Sequence, residues 1–237
     1  IYNDNRLEGI EIDRGKLNYI LADLNFNGIN SQFFESDNEE IVMTLGNLEL
    51  QKYVINTKDD ISLKNCGRLH SLLFKYVPYP DDNGKYRDGT ALLKRGTIQP
   101  VPYYEINDRI NALDEELQFF MKNIDQYEIG EYIEQVAYFT YKFIVIHPFR
   151  DGNGRISRAI MNWLLRKKKI PPIYIDQKCK KEYYNALSKI DLEEDPIPFI
   201  MFIEKRIIHT MIELHKYLFV DEIDEETAIE EVEVNGI

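Results

Sequence analysis

The sequence predicts an all-α protein that carries one small β-hairpin. Apolar residues recur at the three- and four-residue spacing of an amphipathic helix through most of the chain. Residues 80–106 break that pattern because they are dense in turn-forming Pro, Gly, Asp and Asn. The 237 residues are enough to bury a core of their own. We therefore expect one large domain with short appendages.

Seven segments carry the helical pattern. In residues 108–127, for example, Ile110, Leu113 and Leu117 share one helical face. In residues 62–76, Ser62 precedes the apolar run and is a suitable helix cap. The predicted helices span residues 39–55, 62–76, 108–127, 129–146, 152–169, 181–190 and 198–219.

Shorter features lie between and after these helices. Residues 90–93 and 97–101 predict two short strands that form a hairpin around Lys94-Arg95-Gly96. Residues 25–38 are polar and turn-rich, and they predict a mobile insertion. Residues 221–237 contain eight acidic residues and no basic one, which predicts a solvated acidic tail.

Composition excludes several classes of function. The net charge of −12 argues against general nucleic-acid binding, which needs a basic surface. No apolar run approaches the twenty residues of a membrane-spanning helix, so we expect no membrane partner. Cys66 and Cys179 lie far apart without other metal-ligand residues nearby, which is typical of reduced thiols. These features predict a cytoplasmic protein.

The stretch HPFRDGNGRISR, residues 147–158, concentrates residues that carry chemistry. His147 follows an apolar helix and precedes Pro148, which disfavours helical geometry at His147 and places the imidazole where the chain turns. A histidine suits proton abstraction near neutral pH, although a lone histidine is more often structural. Phe149 is the apolar exception and is expected to anchor the loop in the core.

The second half of the stretch suits an anion. Gly152-Asn153-Gly154 can turn successive N–H groups toward a phosphate at the start of a helix. Arg155 and Arg158 are three residues apart, so both are expected to project near that anion. Asp151 is either a helix cap or an oxygen ligand for Mg²⁺. As an ordered set, these residues indicate a metal-dependent reaction at a nucleotide phosphate.

This stretch resembles the signature of the Fic (Fic/Doc) family, H-x-F-x-D/E-G-N-G-R-x-x-R, and fills every specified position. The resemblance extends over about residues 40–205, with weaker landmarks at Leu69-His70, at Gly84-x-Tyr86-Arg87 and at Tyr183-Tyr184-Asn-Ala-Leu187. It implies a Fic-type helical bundle. It also implies that the hairpin is a flap that holds a target segment by strand pairing, with Leu92, Leu93, Thr97 and Ile98 as flap residues.

The resemblance further implies a protein adenylyltransferase with ATP as substrate and Mg²⁺ as cofactor. His147 would deprotonate a Tyr, Ser or Thr hydroxyl of a target protein or of the chain itself, and that oxygen would attack the ATP α-phosphate. The roles implied for the other residues are Mg²⁺ binding for Asp151, phosphate binding for Gly152, Asn153 and Gly154, the β-phosphate side for Arg155, and the γ-phosphate for Arg158.

Several alternatives stay open from the sequence. The adenine pocket is assigned to Tyr183 and Tyr184, which by themselves are more often core aromatics. The same scaffold can use another nucleotide donor, can also remove AMP, or can serve as a non-enzymatic nucleotide-binding module. The Doc branch, which phosphorylates, departs from the Gly-Asn-Gly-Arg pattern, so kinase-type transfer is disfavoured. The sequence leaves the target protein and a homo-oligomer undetermined.

Residues 4–9 predict one short helical turn that ends at Gly9. Many Fic proteins share an inhibitory helix, S/T-x-x-x-E-G/N, whose Glu pairs with the second motif arginine. Leu7-Glu8-Gly9 fits that pattern, but Asp4 stands in the Ser/Thr position. The resemblance therefore implies that Glu8 pairs with Arg158 and inhibits the enzyme. We divide the chain into an inhibitory helix segment with the insertion (1–39), a Fic catalytic domain (40–219) and an acidic C-terminal tail (220–237).

Overall fold

The computed structural model describes residues 1–58, 62–78, 83–93, 97 and 99–219. These residues form α-helices joined by short turns and 3₁₀ helices, and they contain no β-strand. The helices are α1 (Tyr2–Glu8), α2 (Arg14–Asn27), α3 (Glu39–Asn56), α4 (Cys66–Leu73), α5 (Ile106–Lys122), α6 (Ile129–Ile146), α7 (Asn153–Lys167), α8 (Lys180–Glu193) and α9 (Ile197–Phe219). Within this part of the chain, none of the helices has the length and apolarity needed to cross a bilayer.

The core forms around α6 and α7, which pack against each other. Helix α6 begins with a capping box between Glu128 and Glu131 and buries residues on several faces. Its Phe143 and the α7 residues Ile156 and Leu164 are fully buried in one apolar cluster. Helices α3, α4, α5 and α9 pack against this pair, and α8 packs against α9. All seven predicted helices are present, and the bounds of α6 are those that the periodicity predicts.

Helix α2 is absent from the sequence-based prediction. Its start is stabilised by Asp13, whose side chain accepts a hydrogen bond from the backbone N–H of Lys16 at 2.8 Å. The predicted insertion, residues 25–38, forms the end of α2 and the 3₁₀ helices Gly28–Asn30 and Gln32–Glu35. Phe33 anchors it in a second apolar cluster beside α3. The N-terminal segment is therefore packed on the helical core.

The predicted hairpin is not formed in the described residues of the 90–101 segment. The backbone carbonyls of Gly89 and Val101 accept hydrogen bonds from the Arg87 guanidinium, and the N–H of Val101 donates to the Val145 carbonyl at 3.3 Å. In a hairpin, the backbone groups at the two ends of this segment would bond to each other. Here they bond to Arg87 and to the end of α6 instead. Residues 94–96, Ile98 and the acidic tail 220–237 lie outside the described residues.

Candidate active site

The loop between α6 and α7 is closed by Asn153. The Asn153 side chain accepts from the N–H of Phe149 at 2.9 Å and donates to the Phe149 carbonyl at 2.7 Å. Phe149 is fully buried, as the sequence predicts, so its aromatic ring anchors the loop in the hydrophobic core. The Asn153 side chain is therefore used within the loop, and the group that it offers to an anion is its backbone N–H.

His147 ends α6 in a left-handed conformation, with φ of 51°. Pro148 prevents the helix from continuing, and histidine is among the residues that tolerate positive φ. The His147 carbonyl accepts a hydrogen bond from Nε of Arg87 at 2.7 Å. This arrangement turns the imidazole into a cavity above the start of α7, where the side chain is one of the lining groups.

The start of α7 forms the floor of that cavity. Gly152 has a φ of 81°, and a Cβ at this position would lie 2.8 Å from side-chain atoms of Leu73 and Phe74. Only glycine fits both the conformation and the close approach. The first N–H groups of a helix have no partner within it, so those that follow Gly152 are donors of the kind that can bind an anion.

Asp151 and Arg155 form an ion pair beside this site. Nη2 of Arg155 lies 3.1 Å from Oδ2 of Asp151. The Asp151 side chain is 63% exposed and lines the cavity, whereas that of Arg155 is 2% exposed and lies behind the loop, near Met43 and over the ring of Phe74. Arg155 and Arg158 are separated around the helix axis. Of these two arginines, Arg158 lines the cavity and Arg155 does not.

Arg158 is held by two carboxylates of α1. Its Nη2 donates to Oε1 of Glu8 at 2.8 Å and its Nε donates to Oδ1 of Asp4 at 2.5 Å. Burial by itself lowers the pKa of the guanidinium, but the charges of Asp4 and Glu8 outweigh that effect and raise it. Glu8 also lies against the start of α7, because a Cβ on Gly154 would be 2.8 Å from its Oε1. The Glu8 carboxylate thus occupies the region where the helix start and Arg158 favour an anion.

Helix α1 is held in place by further polar contacts. Asn47 of α3 donates to Oδ2 of Asp4 at 2.9 Å and to Oδ1 of Asn5 at 3.0 Å, and Asn5 donates to Thr44 at 2.7 Å. On the opposite side, Gln177 donates to the Arg6 carbonyl at 2.6 Å, near the C-terminal end of α1. These contacts fix both carboxylates in register with Arg158.

One cavity of about 160 Å³ brings most of the predicted site together. Its lining includes the predicted residues Glu8, Leu92, Leu93, His147, Asp151, Gly152, Asn153, Gly154, Arg158, Tyr183 and Tyr184. Arg155 lies behind it. The Thr97 hydroxyl donates to Asp191 of α8, and Ile98 is outside the described residues. Three further lining residues, Ile144, Arg150 and Leu187, were not predicted as site residues. Ile144 is an ordinary apolar helix position, Arg150 stands at an unspecified position of the signature, and Leu187 belongs to a family landmark without an assigned role.

The two tyrosines at the cavity differ in burial. Tyr183 is 2% exposed and packs on Tyr184, Phe199 and Phe202 with ring centroids 5.2 to 6.1 Å apart. Tyr184 is half-buried. This packing agrees with the core-aromatic interpretation for Tyr183, while both rings still contribute apolar surface to the cavity wall.

His70 supports the loop from the side of α4. Its Nδ1 accepts from the N–H of Gly84 at 3.0 Å, and its ring lies between Phe74 and Phe149 at centroid distances of 4.5 and 4.3 Å. Burial lowers the pKa of His70 to about 4, so the ring is neutral near pH 7. The sequence marks His70 only as a family landmark and gives no sign of this supporting role.

Besides Arg150, two charged residues near the cavity, Asp4 and Arg87, were not predicted as site residues. Asp4 was visible in the sequence as an acidic residue one helical turn before Glu8, but its ion pair depends on the docking of α1. Arg87 was visible as a landmark, but its backbone partners at the end of α6 are about sixty residues away in the sequence. In both cases the sequence shows the residue type and the tertiary structure supplies the partner.

A helical fold that presents a histidine and a helix start to one cavity agrees with the sequence comparison, in which residues 60–165 match the model of the Fic/DOC family. Residues 60–165 of this chain therefore contain a Fic/DOC-family domain. Among curated proteins, it is similar to the protein adenylyltransferases Fic of Culex quinquefasciatus, at 29% identity over 175 residues, and of Nematostella vectensis, at 30% over 165 residues. These alignments cover 74% and 68% of this chain but 33% and 36% of the relatives. The chain thus spans about a third of the length of the curated relatives it matches.

Solved structures share the fold. Fic-1 of C. elegans superposes with a TM-score of 0.73 at 20% identity, covering 93% of this chain and 63% of that one. A Fic domain containing signaling protein of Bacteroides thetaiotaomicron gives 0.73 at 22% identity, covering 94% and 87%. BepC of Bartonella tribocorum, solved with bound AMPPNP, gives 0.51 at 19% identity, covering 73% and 89%. At these identities the structures establish the fold alone.

Proposed function

We propose that this chain is a protein adenylyltransferase that transfers AMP from ATP to a Tyr, Ser or Thr hydroxyl of a target protein or of itself. The observation that carries the proposal is the convergence of His147, the start of α7 and Arg158 on one cavity. The names of the curated relatives, protein adenylyltransferase Fic, support the same chemistry.

In the proposed reaction, His147 is the general base. Its imidazole takes the proton of the target hydroxyl, and the oxygen attacks the ATP α-phosphorus. The new oxygen–phosphorus bond forms as the bond from the α-phosphorus to the bridging oxygen breaks, and pyrophosphate leaves with that oxygen. The left-handed turn at His147 supports this role because it directs the imidazole into the cavity.

The phosphates would lie at the start of α7. The backbone N–H groups of Asn153 and Gly154 would donate to phosphate oxygens, and Arg158 would bind the γ-phosphate. Arg155 would act from behind the loop on the β-phosphate side, through its charge and by orienting Asp151. This division of roles follows from burial, since only Arg158 of the two arginines lines the cavity.

Asp151 fits a Mg²⁺ site of the kind completed by substrate. No group of three or more His, Cys, Asp or Glu side chains suited to a metal occurs in the described part of the chain. Mg²⁺ in nucleotide enzymes often takes one or two carboxylates, with the remaining ligands from phosphates and water. The exposed Asp151 carboxylate at the cavity supplies such a ligand. When bound, Mg²⁺ would neutralise charge on the phosphates.

The rest of the cavity would bind the adenine and the target. Tyr184, with Ile144 and Leu187 beside it, offers an apolar wall for the base, while Tyr183 supports Tyr184 from the core. The segment with Leu92 and Leu93 would hold an extended target segment by backbone pairing. Leu92 is 82% exposed and is available for that contact, whereas Leu93 is buried and anchors the segment.

The resting protein would be inhibited by α1. Glu8 occupies Arg158 and the start of α7, so ATP has to displace its carboxylate before the γ-phosphate can bind. Residues 1–39 would then form the inhibitory segment, 40–219 the catalytic domain and 220–237 an acidic tail.

The test is labelling with radioactive or alkyne-tagged ATP, UTP and CDP-choline. We expect AMP transfer from ATP to the protein itself or to a lysate protein, and we expect His147→Ala to abolish transfer while ATP binding is retained. His215→Ala, an exposed histidine on α9, is the matched control. Transfer from UTP or CDP-choline alone would identify another donor. Labelling by none of them, with ATP still bound after Glu8→Gly, would favour a nucleotide-binding module.

A further inference from the structure

We propose that Arg87 is a positioning residue of this site, which fixes the backbone of His147 and both ends of the segment carrying Leu92 and Leu93 with a single guanidinium. The proposal deepens the function proposed above and rests on it for the chemical step. Arg87 does not line the cavity, so its influence on the reaction would be exerted through the groups it holds.

The first set of contacts is at the end of α6. Arg87 Nε donates to the His147 carbonyl at 2.7 Å and Nη2 donates to the Ile146 carbonyl at 3.3 Å. The backbone N–H of Arg87 donates to the Pro148 carbonyl at 2.8 Å. The last carbonyls of a helix have no partner within it, and a cation there also complements the helix dipole. Three consecutive carbonyls around the proposed base are thus fixed by one residue.

The second set of contacts is at the segment beside the cavity. Arg87 Nη1 donates to the Gly89 carbonyl at 2.7 Å, and Nη2 also donates to the Val101 carbonyl. Gly89 and Val101 stand before and after the residues that would hold the target. The same guanidinium binds Gly89, Val101 and the end of α6, so one planar group links the backbone of the proposed base to both ends of this segment.

The chemistry of arginine explains why this residue type stands here. Arg87 is 5% exposed, and no carboxylate of the described residues forms an ion pair with it. Burial lowers the pKa of its guanidinium. A buried charge is costly unless its donors are satisfied, and here carbonyls on two segments supply that compensation. Lysine has a single ammonium and cannot span the same acceptors, whereas the guanidinium fork can.

Arg87 and the proposed phosphate site act on different reacting groups. Arg87 contacts the backbone around His147 and the ends of the segment that would hold the target, whereas the phosphates would be bound by the start of α7 and Arg158. Loss of Arg87 is therefore expected to lower the rate of transfer more than the affinity for ATP. A displacement of about 1 Å at reacting groups can reduce a rate by about a hundredfold.

The experiment compares Arg87→Lys with Arg109→Lys in a Glu8→Gly background. Arg109 is an exposed arginine of α5 that pairs with Glu105. For Arg87→Lys we expect kcat to fall by about tenfold or more, with KM for ATP and the calorimetric ATP affinity nearly unchanged. Amide hydrogen exchange should accelerate around residues 146–149 and 99–102 and not in the middle of α6. Arg109→Lys should resemble its parent.

Three results would overturn the proposal. The first is an Arg87→Lys protein with unchanged kcat and unchanged amide hydrogen exchange. The second is a parallel loss of ATP affinity and thermal stability in that protein. The third is failure of both Arg87→Lys and Arg87→Gln to fold. If the parent Glu8→Gly protein transfers no nucleotide, the proposed function fails by that result. Positioning by Arg87 is then judged from amide hydrogen exchange in Arg87→Lys. Faster exchange confined to residues 146–149 and 99–102 supports the proposal, and any other pattern contradicts it.

Discussion

Removal of the α1 carboxylates should activate the protein in two separate steps. Arg158 is paired with both Glu8 and Asp4, so replacement of Glu8 alone leaves Nε of Arg158 bound to Asp4 at 2.5 Å. We predict that Glu8→Gly gives partial activation and that Asp4→Ser, which introduces a family-like residue, increases it further. Asp4→Ser alone should activate weakly, because Glu8 still occupies the anion site.

The magnitude follows from burial. The side chains are 6% exposed for Arg158, 10% for Glu8 and 16% for Asp4, so solvent screens these pairs little. A hydrogen bond to a charged group contributes roughly 1.5–3 kcal/mol, and about 2 kcal/mol corresponds to about a 30-fold change in an equilibrium. Relative to Glu8→Gly, the double variant should therefore bind ATP on the order of tenfold or more tightly, since phosphate no longer competes with Asp4.

The assay is the initial rate of labelled AMP incorporation against ATP concentration for the wild type, both single variants and the double variant. Asp13→Ser is the matched control, because it removes an acidic cap of α2 and serine can still accept from Lys16. If the KM for ATP is the same in the Glu8→Gly/Asp4→Ser double variant as in Glu8→Gly alone, Asp4 does not restrain Arg158 and the reasoning is refuted. Equal activation by Asp13→Ser would assign the effect to net charge.

Two further predictions concern stability. Gly46→Ala should destabilise the fold by more than about 2 kcal/mol in urea unfolding, because a Cβ would lie 1.9 Å from the Leu73 carbonyl oxygen. Gly130→Ala, where a Cβ would meet no atom within 4 Å beyond its chain neighbours and the adjacent backbone of α6, should be neutral or stabilising by up to about 1 kcal/mol. Equal effects would contradict the close approach of α3 and α4. The pKa of His70 is lowered from 6.5 to about 4, because its buried ring is harder to protonate in the folded protein. The resulting contribution to the free energy of unfolding is fully present above pH 6.5. It is lost as the pH falls toward 4, by roughly 3 kcal/mol in total. His70→Asn, compared with His215→Asn, should flatten the unfolding free energy across that range, and an unchanged slope would show that His70 does not couple to folding.

Helical periodicity was a sufficient guide where a helix has one continuous apolar pattern. Helix α6 is the clearest case, since its bounds match the prediction. Helix α2 was missed because Tyr19 and Phe26 are exposed, so its apolar residues do not mark a single buried face. The hairpin prediction was wrong for the described residues because turn-rich composition does not reveal that the Gly89 and Val101 carbonyls bind Arg87.

The sequence by itself determined the resemblance to the Fic/DOC family and most residues of the candidate site, because HPFRDGNGRISR places a histidine, a carboxylate and a helix start within twelve consecutive residues. Local chain geometry holds such residues together whatever the rest of the fold does. The Asn153 side chain is held by Phe149 within the same loop, a contact that the residue pattern did not reveal. Only the tertiary structure decided which of Arg155 and Arg158 faces the cavity and that Asp4 joins Glu8 on Arg158. Those two outcomes depend on packing between α1, α3 and α7, whose partners are separated by up to about 150 residues.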